Sequence, residues 1–307
     1  MTKLNFSPER ILIVSKRTRY ELDTFRYADE KERKKIYKLI KLEERIMASH
    51  ERQVKSREEV RNIFPEITRL VYRQELEKLN LKEFDLIIAL GGDNHFTYIG
   101  HYCIQNDIYI IGCNSDTETS MGAMLSFSAE TLKETVQNDW SDVYVEEWPL
   151  IIARITHPDG RKVETFGTIS EITVRNNNPD LISSYHICFD GIREKQKSSG
   201  LLFCTGAGST GWYLSCHQND EETDPSFPKT APYFKAYSRE LSKTARKNYK
   251  LNDFKVETCC KIISDMDGGI CVDSLPERRY DFPSGSIAEF SLSFKKLKVI
   301  RKKDPDI

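Results

Sequence analysis

The sequence predicts an α/β plus β-rich fold, with an N-terminal α/β domain built on a parallel sheet and a β-rich second domain behind it. Three observations carry this. Short apolar runs alternate with helix-patterned stretches through the first third of the chain, the alternation that builds parallel sheets covered on both faces. After about Leu125 the texture changes to strand-like segments separated by Gly, Asn, Pro or Asp clusters. At 307 residues the chain is long enough for two domains, each with its own core. The division is placed at residues 1–126 and 127–307, with the C-terminal segment packing back on the first domain.

Ile11-Leu12-Ile13-Val14 reads as the first strand, buried on both faces. From Tyr27 to Leu79 the chain is rich in Glu, Lys, Arg and Leu, and Ile36, Leu39 and Ile40, then Ile67, Leu70 and Val71, recur at helical spacing. Two or three helices are expected, broken near Pro65. Leu86 to Leu90 is a second buried strand running into Gly91-Gly92, followed by a helix from Phe96 to Ile104 and a third strand from Ile108 to Gly112. Further strands are expected over Leu150 to Thr156, Phe166 to Val174, Ser184 to Phe189 and Leu201 to Cys204. Asn219 to Tyr249 is polar, holds Pro225, Pro228 and Pro232, and closes on a helix-like Phe234 to Lys247, the pattern of an insertion or lid.

Composition narrows the function. Lysine and arginine number 46 against 47 acidic residues, a net charge of -1, so nucleic acid is not an expected partner. The eight cysteines contain no CxxC pair and mostly neighbour aliphatic residues, which favours a reducing compartment. No apolar run is long enough for a signal peptide or a membrane span, so a cytoplasmic protein without membrane contact is expected. The six histidines are scattered, with no HxxxH and no paired cysteine, so no protein-held metal site is expected; His95 stays a minor candidate because it follows the glycine pair.

Four constellations carry chemistry. The first is the strand ending Gly91-Gly92-Asp93-Asn94: ligands gather at the carboxyl ends of strands in open α/β sheets, and glycines let backbone N–H groups approach phosphate. A plain strand-end turn reads equally well. The second is Thr205-Gly206-Ala207-Gly208-Ser209-Thr210-Gly211-Trp212, which offers backbone and hydroxyl donors suited to polyphosphate or ribose oxygens, with a helix expected from Trp212 onward. It lacks the lysine of a P-loop. The third is Ser170-Glu171 within a strand-like run, where Glu171 on a wet face is the bland reading. In the fourth, Cys271-Val272-Asp273-Ser274, Asp273 reads alone as a turn residue.

In this order along the chain, these pieces resemble the NAD kinase family, and most of all its mitochondrial-type branch. Lys16-Arg17-Thr18-Arg19-Tyr20-Glu21 looks like that branch's opening, as does Ile111-Gly112-Cys113-Asn114-Ser115-Asp116 after the third strand. Glu194-Lys195-Gln196-Lys197-Ser198-Ser199-Gly200-Leu201, leading into the second loop, looks like its version of that loop. The likeness runs from about Ile11 to Ala288, patchily over Arg33 to Leu79 and over His217 to Val256. It implies the fold shared with diacylglycerol kinases, ATP with Mg2+ as donor, NAD as substrate, and a homo-oligomer. It also implies that Asp93 acts on the 2′-hydroxyl of the adenosine ribose. Nucleotide contacts would then fall to Gly91, Gly92, Asn94, Asn114, Ser170, Glu171, Thr205, Gly208, Ser209, Thr210, Trp212, Ser215 and Asp273.

Two departures from the family stand out. Its loop reads Gly-Gly-Asp-Gly, whereas here the fourth residue is Asn94, the side chain that best tolerates a left-handed backbone. Its Asn-Glu pair is Ser170-Glu171 here, one hydroxyl in place of a carboxamide. Three readings follow: an NAD kinase, a related phosphotransferase with a nucleoside or lipid substrate, and a family member that binds NAD(P) without phosphorylating it.

Overall fold

The computed structural model describes residues 4–65, 69–217 and 225–303. The chain divides into two units, one formed by Met1–Glu146 with Lys298–Ile307 and the other by Glu147–Leu297. The break lies later than residue 126 because the helix α5 (Ala129–Gln137) and the segment after it belong with the first core: Leu132, Trp140 and Val143 pack there with Ile11, Ile88 and Ile111.

In the first unit a parallel sheet runs β2 (Leu70–Tyr72), β1 (Ile11–Ser15), β3 (Leu86–Gly91), β4 (Tyr109–Asn114). Strands β1 and β3 are buried along their whole length, as expected for runs of Ile, Leu and Val with helices on both faces. Three helices follow β1: α1 (Arg19–Arg26), α2 (Glu30–Leu39) and α3 (Glu43–Ile63). Thr18 caps α1 in a reciprocal box with Glu21. Leu70 and Val71 lie in a strand, not a helix, because their backbone pairs with Ile13 and Val14; Ile67 lies outside the described residues. Helix α4 (Asp93–Asn106) begins earlier than expected, directly on Gly92, and ends at Asp107 in the left-handed region. The last part of β16 (Ile287–Lys302) joins this unit, Val299 pairing parallel with Ile110.

The second unit is a β-sandwich. One antiparallel sheet runs β12 (Asp253–Val256), β11 (Phe234–Arg239), β10 (Gly200–Cys204), β7 (Glu171–Asn176), β14 (Gly268–Val272), β15 (Arg279–Phe282). The other places β13 (Cys259–Ser264) between β16 and β8 (Ser183–Phe189), with β9 (Ile192–Ser198) beyond β8. Between the sheets Phe203 stacks on Phe290 at 4.0 Å, with Ile172, Ile262 and Ile270 around them. Alternation along β10 sends Leu201 and Phe203 into this core, and Leu202 and Cys204 against Tyr213 and Tyr237 on the outer face.

Two expectations are corrected here. Phe234 to Arg239 is a strand because Phe234 and Ala236 face the sandwich core, and the only helical residues of that stretch are the short turn Lys243–Arg246. The residues expected as an insertion from Asn219 lie partly outside the described set. After Trp212 no full helix forms: a wide turn over Ser209–Tyr213, with Gly211 in a non-helical conformation, gives way to one short turn at Leu214–Cys216.

Candidate functional site

Each unit carries one cluster of the expected residues. In the first, β3 delivers Gly91 and Gly92 to the N-terminus of α4. The half-buried Asp93 stands in the helix's first turn, where its carboxylate accepts the backbone N–H groups of Ala123 (3.1 Å) and Met124 (3.0 Å). A carboxylate offers about four acceptor positions, so two such bonds orient it and leave capacity for a substrate hydroxyl. The carbonyl of Met124 is in turn held by Arg301 at 3.1 Å, so the returning C-terminal segment steadies the strand of backbone that steadies Asp93.

The two glycines differ in why they are needed. A Cβ on Gly91 would lie 2.7 Å from the His95 ring, whereas one on Gly92 would meet nothing closer than Ser120 Oγ at 3.5 Å. Nothing inside the protein excludes a side chain at position 92; the space it would fill opens beside Asp93. Asn94 is exposed and helical, so the left-handed backbone that asparagine would tolerate is not used there. His95 is buried, its Nε2 2.9 Å from the Val14 carbonyl; burial, then the nearby Arg73 and Lys16 charges, push its pKa down to about 3, so the ring is a neutral N–H donor that ties α4 to β1.

Asn114 ends β4, and its side chain is occupied within the loop: Nδ2 donates to the Ser120 carbonyl at 3.0 Å and Oδ1 accepts the Asp116 N–H at 3.0 Å. It shapes the loop that carries Ala123 and Met124. Sequence reasoning missed the cations beside this loop. Lys16, whose N–H bonds the Leu90 carbonyl at 2.9 Å, is held below the usual ammonium range by burial of its stem and by the charge of Arg73. Arg73 lies against the Tyr98 ring, and Arg17 against the Tyr72 ring at 3.7 Å. No carboxylate among the described residues pairs with Lys16, Arg17 or Arg73. Like charges gathered without counter-ions are the arrangement of an anion site. Its signal in sequence was weak, since Lys16 and Arg73 are far apart and each sits in a charged stretch.

The second cluster stands at the edge of the sandwich. Asp273 is 3% exposed and accepts three backbone N–H groups, from Ile169 (3.0 Å), Ser170 (2.7 Å) and Glu171 (3.2 Å). It occupies a turn closed by the Leu275 N–H on the Val272 carbonyl, in which Asp273 and Ser274 both have positive φ, a conformation L-residues adopt only when held. Both readings of Asp273 meet here: it is a turn residue, and its carboxylate fastens the Ser170-Glu171 corner. Glu171 is buried and not on a wet face; burial, then the Asp273 charge, raise its pKa, opposed by hydroxyl bonds from Ser170 and from Ser274 at 2.8 Å.

The second loop is tied to the same corner. Thr205 Oγ1 donates to the Ile169 carbonyl at 2.6 Å and accepts the Gly208 N–H, while Ser209 bridges the Gly206 carbonyl and the backbone of Phe227. A Cβ on Gly206 would fall 1.8 Å from the Pro228 oxygen, and one on Gly208 2.4 Å from the Ser170 oxygen, so close backbone approach within the protein requires both glycines. Thr205, Gly208 and Ser209 therefore build the loop. Thr210 and Gly211 are its exposed face, Trp212 is half-buried under Arg239 at 4.5 Å, and the exposed Ser215 hydroxyl donates to the Gly211 carbonyl at 3.2 Å.

No protein-family profile matches the chain. Among curated proteins it is 27% identical over 261 residues to mitochondrial NAD kinase 2 of Rattus norvegicus, covering 69% of this chain and 61% of that protein. It is 26% identical over 263 residues to the Homo sapiens counterpart, with 69% and 59% covered. It is 24% identical over 150 residues to the NAD kinase of Hydrogenovibrio crunogenus, with 47% and 50% covered. Each of these similar proteins is an NAD kinase. The chain spans about 60% of the length of the mitochondrial relatives it matches. Its fold is that of the NAD kinases as well: yeast NADH kinase complexed with NADH superposes with a TM-score of 0.61 at 16% identity, covering 79% of this chain and 68% of that one. An NAD kinase from Archaeoglobus fulgidus in complex with ATP gives 0.56 at 19%, covering 80% and 89%. Among the described residues no helix is long and apolar enough to cross a membrane.

Proposed function

We propose that this chain is an NAD kinase that transfers the γ-phosphoryl group of ATP to the 2′-hydroxyl of the adenosine ribose of NAD or NADH. The observation that carries this reading is Lys16 and Arg73, without a carboxylate partner among the described residues, beside Gly91-Gly92-Asp93: cations and an open glycine for the donor's phosphates, next to an oriented carboxylate for the acceptor's hydroxyl. Phosphoryl transfer needs little covalent chemistry from the protein and much placement of charged oxygens. In this reading Lys16, Arg73 and the Gly92 backbone hold the donor, and Asp93 accepts the proton of the 2′-hydroxyl as it attacks. Thr210 and the backbone around Gly211 are the groups of the second loop left free to contact the dinucleotide, since Thr205, Ser209 and Asp273 are engaged in building their own unit.

Magnesium bound to the donor's phosphates would neutralise charge as the bond breaks. Such an ion keeps several waters and takes one or two carboxylates rather than a protein cage, and among the described residues no three potential ligands converge. Asp93 fits as the carboxylate beside it. Eight free cysteines, four of them buried, support the reducing environment of a cytoplasmic protein, and a homo-oligomer remains the assembly implied by the resemblance. The test is direct: purified protein given ATP, magnesium and NAD should yield NADP and ADP in equal amounts. Absence of NADP with ATP, inorganic polyphosphate and other nucleoside triphosphates in turn would overturn the assignment.

A further inference from the structure

A cavity in the first unit, about 360 Å³, lies between the start of α3 and the chain that enters α1. Arg19, Arg45 and His50 line it, with Ser49 and Thr119 as hydroxyl donors and Leu42 and Ile46 as an apolar wall. Among the described residues no carboxylate belongs to the lining. Arg19 has Asp23 at 3.5 Å, outside the cavity, and among the described residues no carboxylate pairs with Arg45. Thr18 Oγ1, which accepts the Glu21 N–H, lies 2.8 Å from His50 Nδ1 and holds the ring in place.

A half-enclosed space lined by two guanidinium groups, an imidazole and two hydroxyls, with no carboxylate among its described lining residues, suits an anionic ligand. We infer that this cavity is an anion site for a phosphate group, separate from Lys16 and Arg73. Its floor connects it to Asp93. Ser49 and Thr119 both donate to Asp116 Oδ2, at 2.6 and 2.5 Å, and Asp116 is anchored through its N–H to Asn114. Asp116 opens the loop whose far end presents the Ala123 and Met124 N–H groups to Asp93. A phosphate that draws the Ser49 and Thr119 hydroxyls to itself releases two of the bonds on Asp116, so occupancy is felt at the Asp93 carboxylate.

The linkage to catalysis rests on the kinase reading, but the site itself is tested by binding alone. Inorganic tripolyphosphate and ATP are titrated separately into the full chain by calorimetry, without magnesium or NAD, against Arg45→Glu, Arg45→Gln and Arg73→Glu. Arg45 is exposed, so both substitutions should leave the thermal midpoint unchanged. The wild type should show two classes of site. Arg45→Glu should weaken one class by about tenfold or more and Arg45→Gln by less, the order expected when a charge is reversed rather than removed; Arg73→Glu should weaken the other. A cavity signal with tripolyphosphate alone identifies a free inorganic anion as the occupant, and a signal with ATP as well identifies a nucleotide's phosphate tail. Wild-type isotherms for both Arg45 variants with both ligands would overturn the site, whatever the outcome of the NADP assay.

Discussion

Replacing Asp93 by Asn separates catalysis from architecture, because the substitution keeps the shape and removes the charge. In the structure the two carboxylate oxygens each receive one backbone N–H, from Met124 and Ala123. An asparagine can accept only one of these, and its amide turns a second donor toward the other. Hydrogen bonds to a charged group contribute about 1.5–3 kcal/mol each, and one of the two is lost while the other weakens to a neutral bond. The half-buried position and the local nature of the loop reduce this to about 2–3 kcal/mol, which for a unit of this size lowers the thermal midpoint by roughly 5–10 °C. Catalysis should fall much further. A carboxylate that takes the proton of an attacking hydroxyl contributes about 10²–10⁴ in rate. The assay is initial-rate NADP formation at a temperature well below the variant's own midpoint, with NAD affinity measured in parallel by calorimetry. The reasoning predicts a kcat loss within that range and an NAD affinity changed by less than about fivefold. Affinity and rate falling together would show that Asp93 only holds the loop, and full activity below the midpoint would refute its role as a base.

Gly92→Ala should leave the thermal midpoint within about 2 °C of wild type, since its Cβ meets only Ser120 Oγ at 3.5 Å, yet raise KM for ATP at least several-fold; Gly206→Ala, with its Cβ 1.8 Å from the Pro228 oxygen, should do the reverse and cost several kcal/mol of stability. Denaturant titrations beside ATP saturation curves check both, and an unstable Gly92→Ala would mean the glycine serves packing. Glu171 has its pKa raised by burial and by Asp273, so the folded state binds its proton more tightly than the unfolded chain does. Its contribution to stability is therefore full below the ordinary carboxylate range and is lost as pH rises through the raised value. Glu171→Gln should flatten that decline and match or exceed wild-type stability at pH 8; a steeper decline in the variant would contradict it. His95 has the opposite sign of proton linkage, its folded pKa depressed to about 3 from 6.5. Its contribution is full above pH 6.5 and is lost as pH falls toward 3, so His95→Gln, which can still donate to the Val14 carbonyl, should move the acid-unfolding midpoint to lower pH. An unmoved midpoint would show that other groups govern acid unfolding.

What the sequence revealed, and what it hid, follows from the range over which each signal acts. Strands β1, β3 and β4 were legible because burial on both faces writes itself into consecutive residues, and the Gly91-Gly92-Asp93 loop was legible because a strand end, two glycines and a carboxylate are neighbours in the chain. The strand over Phe234–Arg239 was missed although Phe234 and Ala236 alternate inward, because the Lys- and Arg-rich residues after it resemble a helix and six residues hold too few periods to decide. Function was divided in the same way. The carboxylate proposed to act was legible, but the cations that would hold its donor were not, since only the fold brings Arg73 beside Lys16.

The resemblance also spread nucleotide contact evenly over Thr205, Ser209, Glu171 and Asp273, which already carry bonds within their own unit. A hydroxyl bonded to Ile169 or Phe227, and a carboxylate that accepts three N–H groups of its own unit, have little capacity left for a ligand. These residues specify where the exposed Thr210-Gly211 face stands. A substitution such as Thr210→Val should accordingly change KM for NAD without changing stability, whereas Thr205→Val should unfold the corner first and lose binding as a consequence, so the two hydroxyls of one loop are told apart by which of the two measurements moves.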